Sequence, residues 1–438
     1  MPHAATPTMI FTPTSAGAPF TVVSPIHTLP VEILSEIFDL TIKDETHIHD
    51  AHRISHICSY WRRVAHSTPR LWTRTLEVHL CEKRNVADGL KTWLERSAPL
   101  PVSLVFTPIR DINLPILEEA LRVAPRCRSL QFDPNSTMPP WLTRRLAQCS
   151  LDHLEALDLG RVHARGEEHS SSSFTAPRLR KLSMVHLGAL QIVVPWAQLT
   201  ELNLGCGSLD VIFEVLGQCA NLTEASIRIY GWSQFHAVGN DIAVRFSQLH
   251  TLSLYFWTGI ASCVFVHLST PALEKLHLRL NRVDWILADF TAFLLRAPNL
   301  AFLQFSFANS LASDDLAAVI HHASSLTHLT IDKCGNCFDD AFIRTLHYAD
   351  SAEPRAPCLH SLVVRSVEGN FTEEVLADMI ASRWWTDTEL ASVSPAVARW
   401  THVELQFGIG SHQHRLGPRF TDIVKDIPSD ILIYSKGI

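Results

Sequence analysis

Two groups of side chains in this chain have the types and spacing that chemistry requires. Cys334 and Cys337 form a Cys-x-x-Cys pair, a spacing found in structural zinc sites and in redox-active disulfides. A structural zinc ion needs four ligands, usually from two such pairs, and the sequence contains no second pair. A redox pair normally opens a helix of a thioredoxin-like unit, whereas this pair follows a segment typical of a strand. We therefore favour a structural role for both cysteines, at the corner of a repeat.

The second group is a cluster of histidines, namely His47, His49, His52 and His56. Neutral imidazoles bind transition metals, and His52 and His56 are spaced to lie on one face of a helix. However, no zinc signature of the His-Glu-x-x-His kind is present. The cluster is better explained as a solvated polar face, so we predict no metal ligand here.

Motifs for other catalytic sites are also missing from the sequence. It contains neither a phosphate-binding glycine loop nor the glycine-flanked serine of the α/β-hydrolases. The paired carboxylates Asp314-Asp315 and Asp339-Asp340 lie beside predicted helices, where first-turn carboxylates favour the helix dipole. We predict no enzyme activity, no catalytic residue and no cofactor. An enzyme with a site assembled on the repeats stays open as an alternative, because catalytic residues can be distant in sequence.

The composition is that of a folded protein without an evident charged partner. Apolar residues make up 47% of the 438 residues and charged residues 18%, which is typical of globular chains. The net charge is −7 and the basic residues form no stripe, so we predict no nucleic-acid partner. No apolar run approaches the length of about 18 residues that crosses a bilayer, so no membrane partner is expected.

The cysteines and the amino-terminal residues indicate a cellular compartment. There are ten cysteines, and apart from Cys334 and Cys337 they are dispersed, unlike the framework of a small disulfide-rich secreted protein. No signal peptide is apparent. We therefore expect reduced thiols and a cytoplasmic or nuclear protein. Residues 1–26 carry no Lys, Arg, Asp or Glu and are predicted to form a disordered tail.

The elements that must position any site begin with the segment Leu29–Trp72. Pro30 and Glu32 suit the first turn of a helix, whose following apolar residues are spaced to form one face. A polar loop is predicted over 43–50. A second helix is then expected to carry Ile54, Ile57, Cys58, Trp61 and Val64 on one side, and Thr68-Pro69 ends it. So short a helical segment cannot bury all of these side chains, and an exposed apolar patch with aromatic anchors is a protein-docking surface.

Three blocks of this segment together resemble an F-box. They are Leu-Pro-x-Glu-Ile-Leu-x-x-Ile-Phe at 29–38, Ile-Cys-x-x-Trp-Arg-x-Val-Ala at 57–65 and Pro-x-Leu-Trp at 69–72. More narrowly, they are similar to the F-box-like proteins abundant in mushroom-forming fungi. The resemblance implies docking on the Skp adaptor, and through it on the cullin, of a ubiquitin ligase. The adaptor contacts that it implies are Leu29, Pro30, Ile33, Leu34, Ile37, Phe38, Ile57, Cys58, Trp61 and Trp72.

The remainder of the chain repeats the phrase Leu-x-x-Leu-x-Leu, most copies being separated by 20 to 27 residues. The copies begin at Leu154, Leu179, Leu199, Leu222, Leu249, Leu273, Leu300, Leu326 and Leu359, with weaker copies at Leu100, Cys127 and Trp400. This is the leucine-rich-repeat phrase, which places a strand inside a horseshoe and a helix outside it. Asn281 and Cys334 occupy the Asn/Cys position of the longer signature. Each repeat can bury its apolar side only against its neighbours, so the array is stable as a stack.

These observations predict an α/β fold, a leucine-rich-repeat solenoid with a curved parallel sheet and outer helices, preceded by a small three-helix F-box-like domain. The expected domains are a tail at 1–26, the F-box-like domain at 27–75, and the solenoid with irregular carboxyl-terminal capping repeats at 76–438. The resulting hypothesis is a substrate receptor of a Skp-cullin-F-box ubiquitin ligase, whose repeats bind a target protein. The alternative is a leucine-rich-repeat interaction scaffold that is not linked to ubiquitination.

Overall fold

The chain folds as two compact units, which we describe separately. The first unit contains the residues up to Arg74 together with Glu95–Ala98, and the second contains Thr75–Leu94 and Pro99–Ile438. The fold is taken from a computed structural model. It describes residues 25–81, 86–107, 111–162, 172–187, 192–230, 244–335, 337–349, 355–367, 371–392, 395–407 and 416–434. The predicted tail at 1–26 therefore lies almost wholly outside the described residues.

The first unit is built from three α-helices: α1 (Val31–Thr41), α2 (His47–Ile57) and α3 (Ser59–His66). Short 3₁₀ turns at Pro25–Thr28, Asp44–Thr46 and Pro69–Trp72 complete it. Helix α1 begins directly after Pro30, as the sequence predicts. The polar loop predicted at 43–50 is wrong in its second half, because α2 already begins at His47.

The single helix predicted from Ile54 to Val64 is also wrong, because the backbone breaks at Cys58. That residue is extended, with φ −158° and ψ 170°. Its Sγ accepts a hydrogen bond from the backbone N–H of Trp61 at 3.4 Å, which gives an otherwise unpaired donor at the start of α3 a partner. Arg62 stabilises the junction by donating from Nε to the carbonyl of Ser55 at 2.9 Å. The apolar spacing runs through the break, so it does not reveal two helices.

The second unit is dominated by one parallel sheet. The strands of the whole chain are β1 (Leu76–His79), β2 (Val102–Thr107), β3 (Cys127–Phe132), β4 (Thr137–Met138), β5 (Ala156–Val162), β6 (Ser172–Ser173), β7 (Lys181–Leu187), β8 (Ile192–Val193), β9 (Glu201–Cys206), β10 (Glu224–Ile229), β11 (Val244–Arg245), β12 (Thr251–Phe256), β13 (Gly259–Ile260), β14 (Leu268–Ser269), β15 (Lys275–Leu280), β16 (Val283–Asp284), β17 (Phe302–Ser306), β18 (His328–Asp332), β19 (Ser361–Val367), β20 (His402–Phe407) and β21 (Leu432–Tyr434). The main sheet follows the order β1-β2-β3-β5-β7-β9-β10-β12-β15-β17-β18-β19-β20-β21, and β4 pairs with β5. Consecutive repeats are thus neighbours in space, which is the arrangement of a solenoid.

The register of the sheet aligns the second leucine of each predicted phrase. Leu157 pairs with Leu182, and Leu182 with Leu202, and the same position continues through Leu252 and Leu276. All of these side chains are almost completely buried. The residues between the leucines point to the opposite face, because side chains alternate along a strand. The predicted leucine-rich-repeat architecture is therefore confirmed, and we call the second, half-exposed face of the sheet the open face.

Outer helices connect the strands and cover the leucine side. They are α4 (Val86–Arg96), α5 (Leu114–Leu121), α6 (Pro140–Ala147), α7 (Leu209–Gln218), α8 (Ser262–His267), α9 (Leu287–Leu294), α10 (Ser313–His322), α11 (Asp340–Leu346), α12 (Glu373–Ser382), α13 (Asp387–Ser392) and α14 (Pro418–Ile423). Phe265, Phe290 and Phe293 form a buried cluster between α8 and α9, with ring centroids 4.9 to 6.0 Å apart. Among the described residues, no helix combines the length and the apolar character needed to span a bilayer.

Candidate protein-binding sites

The ten predicted adaptor contacts divide by exposure into three sets. Pro30, Ile33 and Ile57 are exposed. The half-buried contacts are Leu29, Ile37, Cys58 and Trp61. The buried contacts are Leu34, Phe38 and Trp72. The sequence pattern therefore identifies the apolar side of the helical unit, but it does not separate core residues from surface residues.

The three buried residues form the core of the helical unit, which corrects their prediction as docking contacts. The Phe38 ring packs on Trp61 with 4.8 Å between the ring centroids. Trp72 donates a hydrogen bond from Nε1 to the carbonyl of Ala65 at 2.8 Å, and the Arg96 guanidinium lies 4.7 Å from the centroid of its ring. Since buried aromatic residues contribute most to the core of so small a unit, these side chains hold the helices together.

One stripe of α1 remains exposed beside this core. Ile33 is 49% exposed and Leu40 is 85% exposed, while Ile37 between them is half-buried. The three residues are spaced four and three positions apart, so they lie along one helix face. Ile57, at the end of α2, is 55% exposed. Sequence reasoning missed Leu40, although the spacing from Ile33 and Ile37 could have identified it.

Ion pairs fix α1 in the helical unit. Arg70 pairs with Glu36 at 2.7 Å and with Asp39 at 3.4 Å, and Arg74 pairs with Asp39 and Asp44. The hydroxyls of Ser35 and Thr68 share a hydrogen bond at 3.0 Å. Exposed ion pairs contribute little stability individually, but together these contacts join α1 to the Pro69–Trp72 turn and its flanking residues. The position of the exposed stripe is thereby defined.

The histidines of the helical unit lie on or beside these helices without forming a metal site. The rings of His52 and His56 are 6.3 Å apart, and both side chains are exposed. Burial lowers the pKa of His52, and so does the nearby positive charge of Arg96. Burial and Arg96 also lower the pKa of His66. Among the described residues of the chain, no group of three or more His, Cys, Asp or Glu side chains is placed to hold a metal ion.

The Cys-x-x-Cys pair lies directly after β18. Both thiols are buried, and neither forms a disulfide. The Sγ of Cys334 donates to the carbonyl of Asp332 at 3.4 Å, so this side chain serves the backbone at the strand end. The hydrogen bond with Cys337 lowers the pKa of Cys334, and the same contact together with burial raises that of Cys337. Asn281 occupies the equivalent position after β15. Its backbone N–H donates a hydrogen bond to the carbonyl of Phe256 at 3.0 Å, whereas its side chain makes no hydrogen bond within the described residues.

The open face carries a shallow groove over β3 to β10, lined by polar and apolar side chains. The groove has a volume of about 290 Å³, and Asp158, Ser183, Asn203 and Ser226 form its floor. The amide of Asn203 donates to the Ser183 hydroxyl at 3.3 Å. Burial raises the pKa of Asp158, partly offset by a hydrogen bond from the N–H of Gly160. These groups are dispersed along a shallow surface, which suits recognition of another molecule better than proton-transfer chemistry.

A second row on the open face consists of imidazole and phenyl rings. The ring centroids of His277 and Phe302 are 5.0 Å apart, and those of His328 and His360 are 4.8 Å apart. Burial lowers the pKa of His328, and the neighbouring His360 lowers it further. These residues come from successive strands of the sheet. The sequence alone does not place them side by side, because that requires the pairing register of the strands.

The described residues form a parallel sheet of leucine-rich repeats in one unit and three α-helices in the other. Residues 26–77 match the family described as F-box-like. No curated protein matches the chain.

Two solved structures are similar to parts of this chain. One is a chain of the Toll–Spatzle complex of Drosophila, with 12% identity over 83% of this chain and 50% of that chain and a TM-score of 0.35. The other belongs to the TLR13–ssRNA13 complex, with 14% identity over 55% of this chain and 46% of that chain and a TM-score of 0.22. The chain thus spans about half the length of these structures.

Proposed function

We propose that this chain is the substrate-recognition subunit of a Skp-cullin-F-box type ubiquitin ligase of the kind found in mushroom-forming fungi. The helical unit docks on the Skp adaptor, which links it to the cullin, and the open face of the repeats binds a target protein. The chain performs no bond chemistry itself. It raises the effective concentration of target lysines near a ubiquitin-charged enzyme held elsewhere on the ligase.

The exposed apolar stripe on α1 carries this proposal. Apolar surface remains in contact with water at three residues of α1, namely Ile33, Ile37 and Leu40. Ile57 at the end of α2 is also exposed, and both helices belong to the segment that matches the F-box-like family. Fully burying one such side chain contributes about 1.5–3 kcal/mol. These side chains are already partly covered, so the stripe supplies part of the free energy of adaptor binding, while the buried Phe38 and Trp72 hold the helices that present it.

The direct test is co-purification of the full chain with a Skp adaptor from a mushroom-forming fungus. A double substitution, Ile33→Glu with Leu40→Glu, places two charges in the proposed interface without disturbing a buried residue. We expect this variant to lose adaptor binding, because a desolvated charge without a partner opposes association strongly. Leu34 is unsuitable for this test because it is fully buried, and a charge there would unfold the unit.

A matched control keeps the test specific. Leu295 is another leucine next to a helix end, 70% exposed, and it belongs to the repeat unit. Leu295→Glu should bind the adaptor as the unmodified chain does. Adaptor binding retained by a folded Ile33→Glu, Leu40→Glu variant would contradict docking through the stripe. No adaptor binding by the unmodified chain would leave the interaction scaffold as the better description.

A further inference from the structure

A row of aromatic and basic side chains crosses the open face at the carboxyl ends of five neighbouring strands. The strands are β10, β12, β15, β17 and β18. We call this set the aromatic–basic row, and its members are Tyr230, Trp257, Arg279, Phe307 and Lys333. Arg279 lies within β15, and the other four residues immediately follow their strands. Each repeat thus contributes one member.

The members of the row contact one another in sequence. Tyr230 and Trp257 stack with centroids 6.2 Å apart and an angle of 11° between the ring planes. The Arg279 guanidinium carbon lies 5.3 Å from the Trp257 centroid and 4.2 Å from that of Phe307. The Lys333 ammonium lies 4.9 Å from the Phe307 centroid. Cation–π contacts therefore hold both positive charges in fixed places on the surface.

Arg279 is held without a counter-ion among the described residues. The rings of Trp257 and Phe307 come from the repeats on either side of it, so they occupy space next to the guanidinium plane. Its Nε is buried and has no hydrogen-bond partner in this part of the chain. A guanidinium whose faces are occupied by rings can still donate in its plane, and a carboxylate is the acceptor that matches this geometry.

Positive charge prevails around the row. Arg228 lies 5.9 Å from the Tyr255 centroid on the same face, and Arg365 is already paired with Glu404 at 2.9 Å. Among the described residues, Asp332 precedes Lys333, and Asp158 lies close enough to Arg228 for the positive charge to lower its pKa. Since the whole chain has a net charge of −7, this basic site is a local exception that attracts acidic partners over about 8 Å at physiological salt.

The backbone conformation helps to place two members of the row. Phe307 and Lys333 have positive φ angles of 57° and 55°, which cost a non-glycine residue about 1–2 kcal/mol each. The same backbone conformation occurs at Asp111, Arg282, Ala356 and Ser366 outside the row, so here it sets the direction of two side chains and is not in itself a sign of function. Trp257 is also 38% exposed, although a large aromatic side chain is most stable when it is covered.

We infer that the aromatic–basic row binds an extended, Asp- and Glu-rich segment of the target protein, with one carboxylate on Arg279 and another on Lys333. Strands in a sheet are about 4.8 Å apart, so five of them span about 19 Å, the length of about six extended residues. This inference rests on the proposed function for its biological setting. It names the chemistry of the target segment, which that function leaves open.

The test uses the full chain and immobilised random peptides of about 12 residues, graded in their Asp and Glu content. The tightest acidic peptide then serves as a fluorescent probe for polarisation measurements. Binding should rise with acidic content, and replacing Asp and Glu in the probe by Asn and Gln should abolish it. Arg279→Gln should weaken binding about tenfold or more, as removal of a central arginine anchor does.

Two further variants define the controls. Lys333→Gln changes an exposed member of the row, so it tests the site even if Arg279→Gln misfolds. Arg128→Gln removes the same charge from an exposed side chain on β3, far along the sheet, and should bind the probe normally. Equal losses in the Arg128→Gln and Arg279→Gln variants, or binding that ignores acidic content, would overturn the inference.

Other ligands and the adaptor complete the design. Tighter binding of a phosphorylated peptide or of oligodeoxythymidine than of the acidic peptide would also overturn it. The Ile33→Glu, Leu40→Glu variant should bind the acidic probe normally, and Arg279→Gln should bind the Skp adaptor normally. Failure of adaptor docking with intact peptide binding would therefore reject the ligase and keep the acidic-peptide site.

Discussion

At the scale of single residues, two glycines show how local geometry decides a substitution. Gly160 in β5 has a φ of 59°, and a Cβ added there would lie 2.8 Å from the carbonyl oxygen of Asp133. Gly217 lies within α7, and a Cβ added there would meet no atom within 4 Å. The backbone conformation and the close carbonyl therefore require glycine at position 160, whereas position 217 has room for a larger side chain.

We expect Gly160→Ala and Gly217→Ala to change stability in opposite directions. Gly160→Ala should lower the free energy of unfolding by at least about 1–2 kcal/mol, because of the left-handed backbone and the contact with a rigid carbonyl. Gly217→Ala should raise it by about 0.5–1 kcal/mol, since alanine favours the helix. Urea denaturation followed by circular dichroism measures both. A destabilised Gly217→Ala variant would show that the outer helix is constrained in a way the structure does not contain.

Residue-scale exposure is also where the sequence misled. The spacing of Ile33, Leu34, Ile37 and Phe38 predicts the apolar side of α1 correctly. Which of these side chains face water depends on the Phe38–Trp61 contact, which joins residues from different helices. Periodicity describes one helix at a time, so it could not distinguish the buried Phe38 from the exposed Ile33.

At the scale of elements, the strands of the repeats were predictable and the helical unit was less so. Each strand carries a period-two leucine phrase, and its neighbours repeat it, as in the aligned Leu157, Leu182 and Leu202. The break between α2 and α3 has no such signal, because it depends on the thiol of Cys58 accepting from the Trp61 N–H. The side chains that usually cap the start of a helix are Ser, Thr, Asp and Asn, so a cysteine at position 58 did not indicate that a new helix begins there.

The helical unit should lose stability as the pH falls below about 6.5. Its His66 has a pKa lowered by burial and by the charges of Arg96 and Arg62. The unfolded chain therefore binds more protons than the folded chain in this range, and the free energy of unfolding decreases between the unfolded and the folded pKa. His66→Phe keeps a ring beside Trp72, 5.8 Å away in the parent, and removes the titrating group.

Hydrogen–deuterium exchange of peptides from residues 31–72 measures this difference at about pH 7.5 and about pH 5.5. The parent should lose more protection at the lower pH than His66→Phe does. His153→Phe, a change of an exposed histidine in the repeat unit, should behave as the parent. The same loss in the parent and in His66→Phe would assign the acid sensitivity to other groups.

At the scale of the whole molecule, the sheet is a stack whose last strand covers the one before it. Strand β21 pairs with β20 through Leu432 and Tyr434, and α14 packs beside α12. The N–H of Gly417 donates to the Glu373 carboxylate at 2.6 Å, and Arg419 pairs with Glu374 at 3.0 Å. In a one-dimensional array each repeat is stabilised only by its neighbours, so we expect β21 and α14 to protect the apolar side chains of the repeat that contains β20.

Ending the chain at residue 415 should therefore destabilise the carboxyl-terminal repeats and promote association. Without β21, the edge of the sheet is the longer strand β20, which then presents unpaired backbone groups. The buried Leu405 also loses the apolar cover that β21 and Phe420 belong to. Sedimentation velocity should detect dimers or larger species of the truncated chain, and its melting temperature should fall.

A milder variant, Arg419→Gln, removes the exposed ion pair with Glu374 but leaves the strand in place. It should have the same oligomeric state as the parent, because an exposed pair contributes at most about 1 kcal/mol. A truncated chain as stable as the parent would contradict a capping role for β21, and the end of the stack would then have to be stabilised by β20 alone.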